Sequence, residues 1–251
     1  MLTLIGTGLS DGKDITLRGL EMIRESDAVF IEGYTSLLQC THEELEKTLG
    51  RTITILDRTA VESQIESIIE RAKEEKISIL VIGDPFGATT HTDLYLRARH
   101  SGVDVLVIHN ASIMNAVGEV GLELYRFGKT VSVPYWLKSF EPTSFIEGMA
   151  ENQARGLHTL CLLDIKVDEK RFMSVKEGIE HIKNAEKKTG KTVLHGSIIG
   201  IARLGCADQK IVFAKPEELM TIDFGPSPHS IVIPGKLHSV EEEMLDLWRP
   251  E

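Results

Sequence analysis

Two glycine-containing loops near the start of the chain carry groups that could hold a small ligand. Gly6-Thr7-Gly8 follows an apolar run at residues 2–5, and Gly83-Asp84-Pro85-Phe86-Gly87 follows another at residues 78–82. Glycine permits close approach of a ligand to the backbone, and proline fixes one backbone angle of the turn. A buried strand that ends in a tight loop before a helix is the usual place for a ligand in an open α/β sheet.

The charges of these loops bear on the ligand's chemistry. A dinucleotide fingerprint would use Gly6-Thr7-Gly8 with Glu32 as the ribose partner, but Asp11 replaces its third glycine and Asp14 adds a second negative charge. No Gly-Lys-Ser or Gly-Lys-Thr follows, as a P-loop would need. Acidic loops suit a cationic ligand without phosphate, such as S-adenosylmethionine, whose ribose or ammonium Asp84 could bind. The residues alone leave open whether these loops bind that cofactor or are only turns.

Apolar periodicity predicts the elements that position these loops. The predicted strands are residues 2–5, 28–31, 52–56, 78–82, 103–108, 130–133, 159–165, 197–202, 210–214 and 230–233. The predicted helices start at Asp14 or Thr16, then cover 43–49, 61–76, 91–100 with Thr89 or Thr90 as cap, 111–120, 141–154, 175–188, 216–220 and 240–247.

The order of these elements predicts the fold class, α/β with two α/β domains. Strands alternate with helices over residues 1–110, which indicates a mainly parallel sheet with helices on both faces. In residues 111–251 adjacent strands, including a hairpin at 197–214, indicate a mixed sheet. We therefore expect a domain boundary near residue 110.

Composition excludes several classes of protein. The chain has 251 residues, 42% of them hydrophobic, and a formal net charge of -10, which disfavours non-specific nucleic-acid binding. The three cysteines are far apart and form no CxxC pair, so neither disulfides nor a metal site is predicted. No basic leader and no apolar run of about 20 residues is present, so we expect a cytoplasmic protein without a membrane segment.

Motifs along the whole chain resemble those of the diphthine synthase family. They are Leu4-Ile5-Gly6-Thr7-Gly8-Leu9, Glu32-Gly33-Tyr34-Thr35-Ser36, Gly83-Asp84-Pro85 with Ala88-Thr89-Thr90-His91, the run from His109 to Gly118, Tyr125-Arg126-Phe127-Gly128, Leu162-Leu163-Asp164-Ile165-Lys166, Ile201-Ala202-Arg203-Leu204-Gly205 and Pro234-Gly235-Lys236-Leu237-His238. The resemblance implies the tetrapyrrole-methylase fold, with the cofactor in a cleft between two α/β domains, and usually a homodimer.

The resemblance also implies the activity and the cofactor. Members of that family methylate the amino group of a modified histidine on translation elongation factor 2. They use S-adenosyl-L-methionine as methyl donor and release S-adenosyl-L-homocysteine. The cofactor contacts that carry over are Leu9, Asp84, Gly87, Ser112, Ile113, Leu163, Leu204 and His229. Gly87 departs from the larger apolar residue expected there. A helix N-terminus at Ser112 and Ile113 would offer N–H donors to the cofactor.

No catalytic residue is assigned. The transfer needs a neutral amine, and the groups that could remove its proton are His91, His109, His229 and Asp84. Repeated methylation produces an increasingly substituted ammonium, which an aromatic ring could stabilise by cation–π attraction. The candidate rings are Tyr34, Tyr135 and Trp136, and we favour Tyr34. Glu241-Glu242-Glu243 is interpreted as a solvated helix start, and Asp14 and Glu44 as surface or capping acids.

Three alternatives remain. A tetrapyrrole or other small-molecule methyltransferase would use the same cofactor. A nicotinamide-dependent oxidoreductase is disfavoured by Asp11. A binding module without catalytic activity is the third.

Overall fold

The computed structural model describes residues 1–34, 36–87 and 91–250. Its backbone separates into two compact units, Met1–Ala116 and Val117–Glu251. The domain boundary predicted near residue 110 lies six residues before this division. Whether the two units are independent domains stays a prediction.

A parallel sheet organises the first unit. Its strands are β1 (Leu2–Gly6), β2 (Ala28–Glu32), β3 (Thr54–Leu56), β4 (Ile77–Val81) and β5 (Val105–Ile108). Among the described residues they pair in the order β3-β2-β4-β1-β5, and each pair is parallel. The predicted parallel sheet is confirmed. Because β1 lies between β4 and β5, the carboxyl ends of these three strands meet at one edge.

Helices cover both faces of this sheet, as predicted. They are α1 (Leu17–Glu25), α2 (His42–Leu49), α3 (Arg58–Arg71), α4 (Thr92–His100) and the single turn α5 (Ile113–Ala116). Apolar residues of α1 and α2 pack with Ile5 and Leu80, and those of α3 and α4 pack with Leu4 and Ile79. Alternate residues of the central strands therefore face two cores, which explains their continuous apolar runs.

Side-chain caps fix where these helices begin. Thr16 accepts a hydrogen bond from the Gly19 amide at 3.0 Å, which settles the start of α1 in favour of Thr16. Thr41 and Glu44 form a reciprocal capping box on α2, so Glu44 is a capping acid, as predicted. The predicted caps Thr89 and Thr90 lie outside the described residues.

A mixed sheet organises the second unit. The strands of this unit are β6 (Val131–Val133), β7 (Thr159–Leu163), β8 (Ile165–Lys166), β9 (Arg171–Phe172), β10 (Ile198–Ala202), β11 (Lys210–Ala214) and β12 (His229–Ile233), and all but β8 and β9 belong to the mixed sheet. The order is β11-β10-β12-β7-β6, where β6 and β7 are parallel and the other pairs antiparallel. The mixed sheet and the β10–β11 hairpin are confirmed. The strand predicted at 159–165 instead ends at Leu163, and β8 and β9 form a separate small hairpin.

The helices of the second unit are α6 (Ser144–Ala154), α7 (Val175–Thr189), α8 (Pro216–Leu219) and α9 (Ser239–Asp246). Ile146 of α6, Ile179 of α7 and Ile231 of β12 are fully buried in one core. A Ser174–Glu177 capping box begins α7, and Gly190 in a left-handed conformation ends it. Across the described ranges, the structure shows no helix with the length and apolar character of a membrane span.

Candidate functional site

The carboxyl ends of β1 and β4 are joined by two glycines. The Gly8 amide donates to the Gly83 carbonyl at 3.2 Å, and the Gly83 amide donates to the Gly8 carbonyl at 3.0 Å. Both have a positive φ, 84° and 83°, a conformation that other residues adopt at a cost. This pair places the two predicted ligand loops side by side at the edge of the sheet.

A carboxylate already occupies the amides of the first loop. Asp14 Oδ2 accepts hydrogen bonds from the Leu9 amide at 3.0 Å and the Ser10 amide at 2.7 Å. In a phosphate-binding loop such amides point at the phosphate. Here their acceptor comes from the chain itself, so Asp14 holds the loop and does not cap a helix, a role that belongs to Asp11 and Thr16. This arrangement argues against a pyrophosphate at this loop.

Asn110, directly after β5, links the neighbouring loops. Its Nδ2 donates to the Gly6 carbonyl at 3.0 Å and to the Asp14 carbonyl at 2.9 Å, and its Oδ1 accepts from the Ala111 amide at 2.8 Å. The sequence placed Asn110 in a motif without giving it a role. Its position directly after a strand could have indicated this role, because a side-chain carboxamide can bond both backbone donors and backbone acceptors.

Asp84 is the most constrained acid of this edge. Its Oδ1 accepts from the Phe86 amide at 2.9 Å, and its Oδ2 accepts from the Asn110 amide at 3.1 Å and from His109 Nδ1 at 2.8 Å. Burial alone would raise the pKa of this carboxyl, but those hydrogen bonds outweigh burial and lower the pKa below its usual range. Asp84 is therefore an ionised acceptor whose Oδ1 has capacity for a further donor.

Gly87 closes the turn against Ser112. Its amide donates to the Asp84 carbonyl at 3.0 Å. A Cβ at position 87 would lie 2.6 Å from Ser112 Oγ and 3.1 Å from Ser112 Cβ. Glycine is thus required by the present position of Ser112, a side chain that is itself 6% exposed. The two predicted cofactor contacts lie against each other.

The predicted helix at 111–120 and its donors need correction. The segment consists of the single α-helical turn α5 followed by a 3₁₀ turn at Val117–Val120. The Ser112 amide donates to Asn115 Oδ1 at 2.8 Å and the Met114 amide to Ser112 Oγ at 3.3 Å, so one of the two expected donors is already bonded. For the Ile113 amide, no acceptor is found among the residues that the structure describes.

His91 is buried behind this edge. It is 6% exposed and its Nε2 lies 3.9 Å from Oε2 of Glu32, which is 1% exposed. Burial lowers the pKa of His91, which keeps the ring neutral at pH 7. His91 packs inside the first unit and does not face solvent.

In the second unit, Leu163 and Leu204 are both 6% exposed. Leu163 ends β7 and packs so closely on α7 that a Cβ at Gly178 would lie 2.8 Å from Leu163 Cδ2. Leu204 follows β10 between Arg203, with φ 49°, and Gly205, with φ 84°. A non-glycine residue at positive φ is uncommon and costs energy, so this turn is held in place by its surroundings.

Arg203 supplies that support from a buried position. Its Nε donates to Asp208 Oδ2 at 2.7 Å, and its terminal nitrogens donate to the carbonyls of Asp208 and Phe224 at 2.9 Å and to the Pro226 carbonyl. The guanidinium thereby joins the turn after β10 to the segment before β12. From the sequence alone, Arg203 is a member of the motif at 201–205, and this structural role is not predicted.

The ring of His229 is fully engaged by backbone. Its Nδ1 accepts from the Val175 amide at 3.3 Å, so Nε2 carries the hydrogen and faces the Gly225 and Pro226 carbonyls at 3.1 and 3.0 Å. Burial lowers the pKa of His229, consistent with a neutral ring. Neither ring nitrogen is left for a ligand, so any hydrogen bond from His229 to a cofactor would use its main chain.

Glu241 is not part of a solvated helix start, because it is 1% exposed. Its carboxylate accepts from His158 Nε2 at 3.0 Å, from the Glu123 and His238 amides at 3.1 and 2.9 Å, and from Arg126. These hydrogen bonds outweigh burial, which would raise the pKa of Glu241, and lower it. Two sequence motifs, at 125–128 and 234–238, therefore meet at one buried carboxylate.

Tyr135 and Trp136 are already covered by cations of this chain. The Arg171 guanidinium lies 3.7 Å from the centroid of the Tyr135 ring, and Lys188 Nζ lies 5.5 Å from that of Trp136. Tyr135 is in addition only 4% exposed, which argues against a substrate ammonium at its ring, whereas Trp136 stays a prediction. Tyr34 stays a prediction.

A model of the family described as Tetrapyrrole (Corrin/Porphyrin) Methylases matches residues 1–220. The diphthine methyl ester synthase of Mus musculus is 44% identical, over 99% of this chain and 96% of that protein. The diphthine synthase of Methanococcus maripaludis is 40% identical, over 98% of this chain and 97% of that protein.

A solved structure agrees with these sequence relatives. A crystal structure of a diphthine synthase superposes with a TM-score of 0.90 at 36% identity, covering 99% of this chain and 96% of the other. Identity and coverage at this level extend the similarity across both units.

Proposed function

Since the chain belongs to the tetrapyrrole (corrin/porphyrin) methylase family, we propose that it methylates the modified histidine of translation elongation factor 2 in diphthamide biosynthesis. The methyl donor is S-adenosyl-L-methionine and the product S-adenosyl-L-homocysteine. The observation that carries this proposal is the similarity, over nearly its whole length, to diphthine and diphthine methyl ester synthases. Its fold and its methyltransferase class follow from the same matches.

The first unit suits this cofactor chemically. Because Asp14 fills the amides of the first loop, the edge favours a ligand without phosphates. Asp84 is ionised and has acceptor capacity, which suits an ammonium or a ribose hydroxyl. We propose that S-adenosylmethionine is held here by Leu9, Asp84, Gly87, Ser112 and Ile113.

The second unit contributes differently in this proposal. Leu163 and Leu204 supply apolar surface and main-chain groups, and His229 supplies main-chain groups alone because its ring is engaged. When bound, the cofactor supplies an activated methyl group on a sulfonium, and the protein supplies position.

A second candidate activity concerns the acceptor atom. The mouse relative is named a methyl ester synthase, and an ester requires a carboxylate oxygen as acceptor. The archaeal relative, at lower identity, is named a diphthine synthase. We propose that this chain methylates the amino group and that methylation of the adjacent carboxylate follows.

Incubation with labelled S-adenosylmethionine and elongation factor 2 carrying the unmethylated precursor tests the function. We expect label on the factor, with mass increments that count the methyl groups, and none on a factor that lacks the precursor. An unlabelled factor with label on a porphyrinoid would favour the small-molecule methyltransferase. If calorimetry shows that the protein binds NADH and does not bind S-adenosylmethionine, the oxidoreductase would be favoured.

Two finer proposals concern the protein's setting. We propose a homodimer in the cytoplasm, in line with the location of elongation factor 2. Light scattering at several protein concentrations measures the assembly, and a mass near 27.9 kDa at all of them would refute the dimer.

A further inference from the structure

Methylation of an amine imposes a proton problem that the proposed function must solve. An ammonium has no lone pair, so one proton must leave nitrogen before each transfer. The sequence offered four groups for this step, namely His91, His109, His229 and Asp84. Their surroundings in the structure are different enough to separate them.

Three of the four are committed elsewhere. His91 is 6% exposed and lies inside the first unit. His229 uses both ring nitrogens on backbone groups. Asp84 accepts three hydrogen bonds that hold it ionised, and a carboxylate stabilised in that way is a weak base.

His109 has the geometry of an oriented base. Its side chain is 67% exposed, and its Nδ1 lies 2.8 Å from Asp84 Oδ2. An ionised carboxylate can only accept, so Nδ1 carries the hydrogen and Nε2 keeps the lone pair. Within residues 1–34, 36–87 and 91–250, Nε2 has no hydrogen-bond partner. A histidine oriented at one nitrogen by a fixed carboxylate is an arrangement that enzymes use for general bases.

The surface beside this ring suits a methylated cation. The Phe86 ring centroid lies 6.2 Å from that of His109, and Phe86 is 40% exposed. An aromatic face attracts alkylammonium groups, and the attraction tolerates loss of N–H donors as methyl groups accumulate. Both side chains follow strands whose carboxyl ends form the edge described above.

We propose that His109 is the base that removes the proton from the acceptor amine, held in the required tautomer by Asp84. This role rests on the proposed function. His109 Nε2 takes a proton from the ammonium, and the freed nitrogen lone pair attacks the methyl carbon. The carbon–sulfur bond breaks and its electron pair stays on sulfur, which becomes a neutral thioether. The imidazolium then releases its proton to solvent before the next cycle.

The His109→Ala variant tests the role, with His100→Ala, an exposed histidine at the end of α4, as matched control. We expect amine methylation of elongation factor 2 to fall about 100-fold or more, with the Kd for S-adenosylmethionine within about twofold. Added imidazole should restore part of the rate, because it replaces the missing base. The control should keep the original rate and affinity.

A second acceptor separates base catalysis from structural support. On a factor that already carries the trimethylated side chain, the remaining acceptor is a carboxylate, which has no proton to lose at pH 7. His109→Ala should therefore leave ester formation unchanged while amine methylation falls. If the protein forms no ester, rescue by imidazole decides alone.

The contrary outcomes are distinct. Amine methylation by His109→Ala at the original rate would overturn the role. So would a loss that imidazole does not rescue, or an equal loss on amine and carboxylate, since either would mean that His109 only supports Asp84. Absence of any transfer to the factor by the unsubstituted protein would refute the proposed function itself.

Discussion

The two units use the polar residues of their motifs in opposite ways. In the first unit, Asp84 and His109 lie at a sheet edge, hold each other and keep capacity for a further partner. In the second unit, Glu241, Arg203 and His229 are 1%, 5% and 7% exposed. Their hydrogen bonds are made to other residues of the same unit. A motif residue can thus belong to a site or to its scaffold, and burial with partner identity separates the two.

This contrast predicts which measurement each variant will change. Substitutions of the buried polar residues Glu241, Arg203 and His229 in the second unit should lower the free energy of unfolding and leave cofactor affinity intact. Substitutions at the edge of the first sheet should instead lower cofactor affinity.

The largest effect on stability is expected for Glu241→Ala. It leaves Arg126 and His158 without their carboxylate, and losing one partner of a buried charge network costs about 3–5 kcal/mol. Urea unfolding followed by Trp136 and Trp248 fluorescence, both in the second unit, measures it. Glu242→Ala, at the exposed neighbouring position, should change stability by less than about 0.5 kcal/mol. Equal effects of the two substitutions would contradict the network's importance.

Asp84→Ala should act mainly on binding. We expect S-adenosylmethionine affinity to fall about tenfold or more, the loss of one charge-assisted contact, measured by calorimetry. Removing the acceptor of the Phe86 and Asn110 amides should also cost about 1–3 kcal/mol of stability. Unchanged affinity would show that Asp84 does not contact the cofactor.

His229→Ala should lower stability without lowering cofactor affinity. The Val175 amide at the start of α7 loses its acceptor, which should cost about 1–3 kcal/mol. Affinity for S-adenosylmethionine, measured at a temperature where the variant is folded, should stay within about twofold. A loss of affinity beyond the loss of stability would assign the ring to the cofactor.

Acid should weaken the fold through its buried histidines. Burial lowers the folded-state pKa of His91, His158 and His229 below the ordinary value of 6.5. The unfolded chain then binds more protons as pH falls below 6.5, so stability is present above that pH and is lost below it. Urea unfolding at pH 7.5 and pH 5.5 should show the decrease, and equal midpoints at the two pH values would contradict it.

The smallest effect is expected for Gly87→Ala. Its Cβ would meet Ser112 Oγ at 2.6 Å, so Ser112 must shift, and we expect S-adenosylmethionine affinity to fall less than tenfold. Adding Ser112→Ala removes that oxygen and should recover part of the loss, a coupling that a double-mutant cycle measures. Strictly additive losses would mean that the Gly87–Ser112 contact is not the cause.

Local patterns were enough to predict the framework of both units. Buried parallel strands show as apolar runs, such as residues 78–82, and the β10–β11 hairpin follows from two runs around a turn. The strand at 159–165 was predicted too long because Asp164, whose carboxylate accepts from the Tyr135 amide, separates β7 from β8. The interruption depends on Tyr135, which lies 29 residues before Asp164 in the chain.

The candidate site was predictable only in part, for the same physical reason. Glu241 looks solvated within its own run of acids, and its partners Arg126 and His158 lie 115 and 83 residues away. His229 is a cofactor contact that the resemblance implies, and no local pattern indicates that the Val175 amide, 54 residues away, binds its ring. Partners distant in sequence decide whether a polar side chain is free for chemistry, and periodicity carries no information about them.

The carboxylate of Asp14 in the first loop bears on discrimination among adenosine-containing metabolites. Cells hold many adenine nucleotides, and most of them present phosphates to loops of this kind. Because Asp14 already holds the Leu9 and Ser10 amides, a phosphate arriving there would meet a negative charge, and these two amides would already have an acceptor. Selectivity by repulsion requires no additional contact with the correct ligand. An internal anion thus makes this loop a poor site for a nucleotide phosphate.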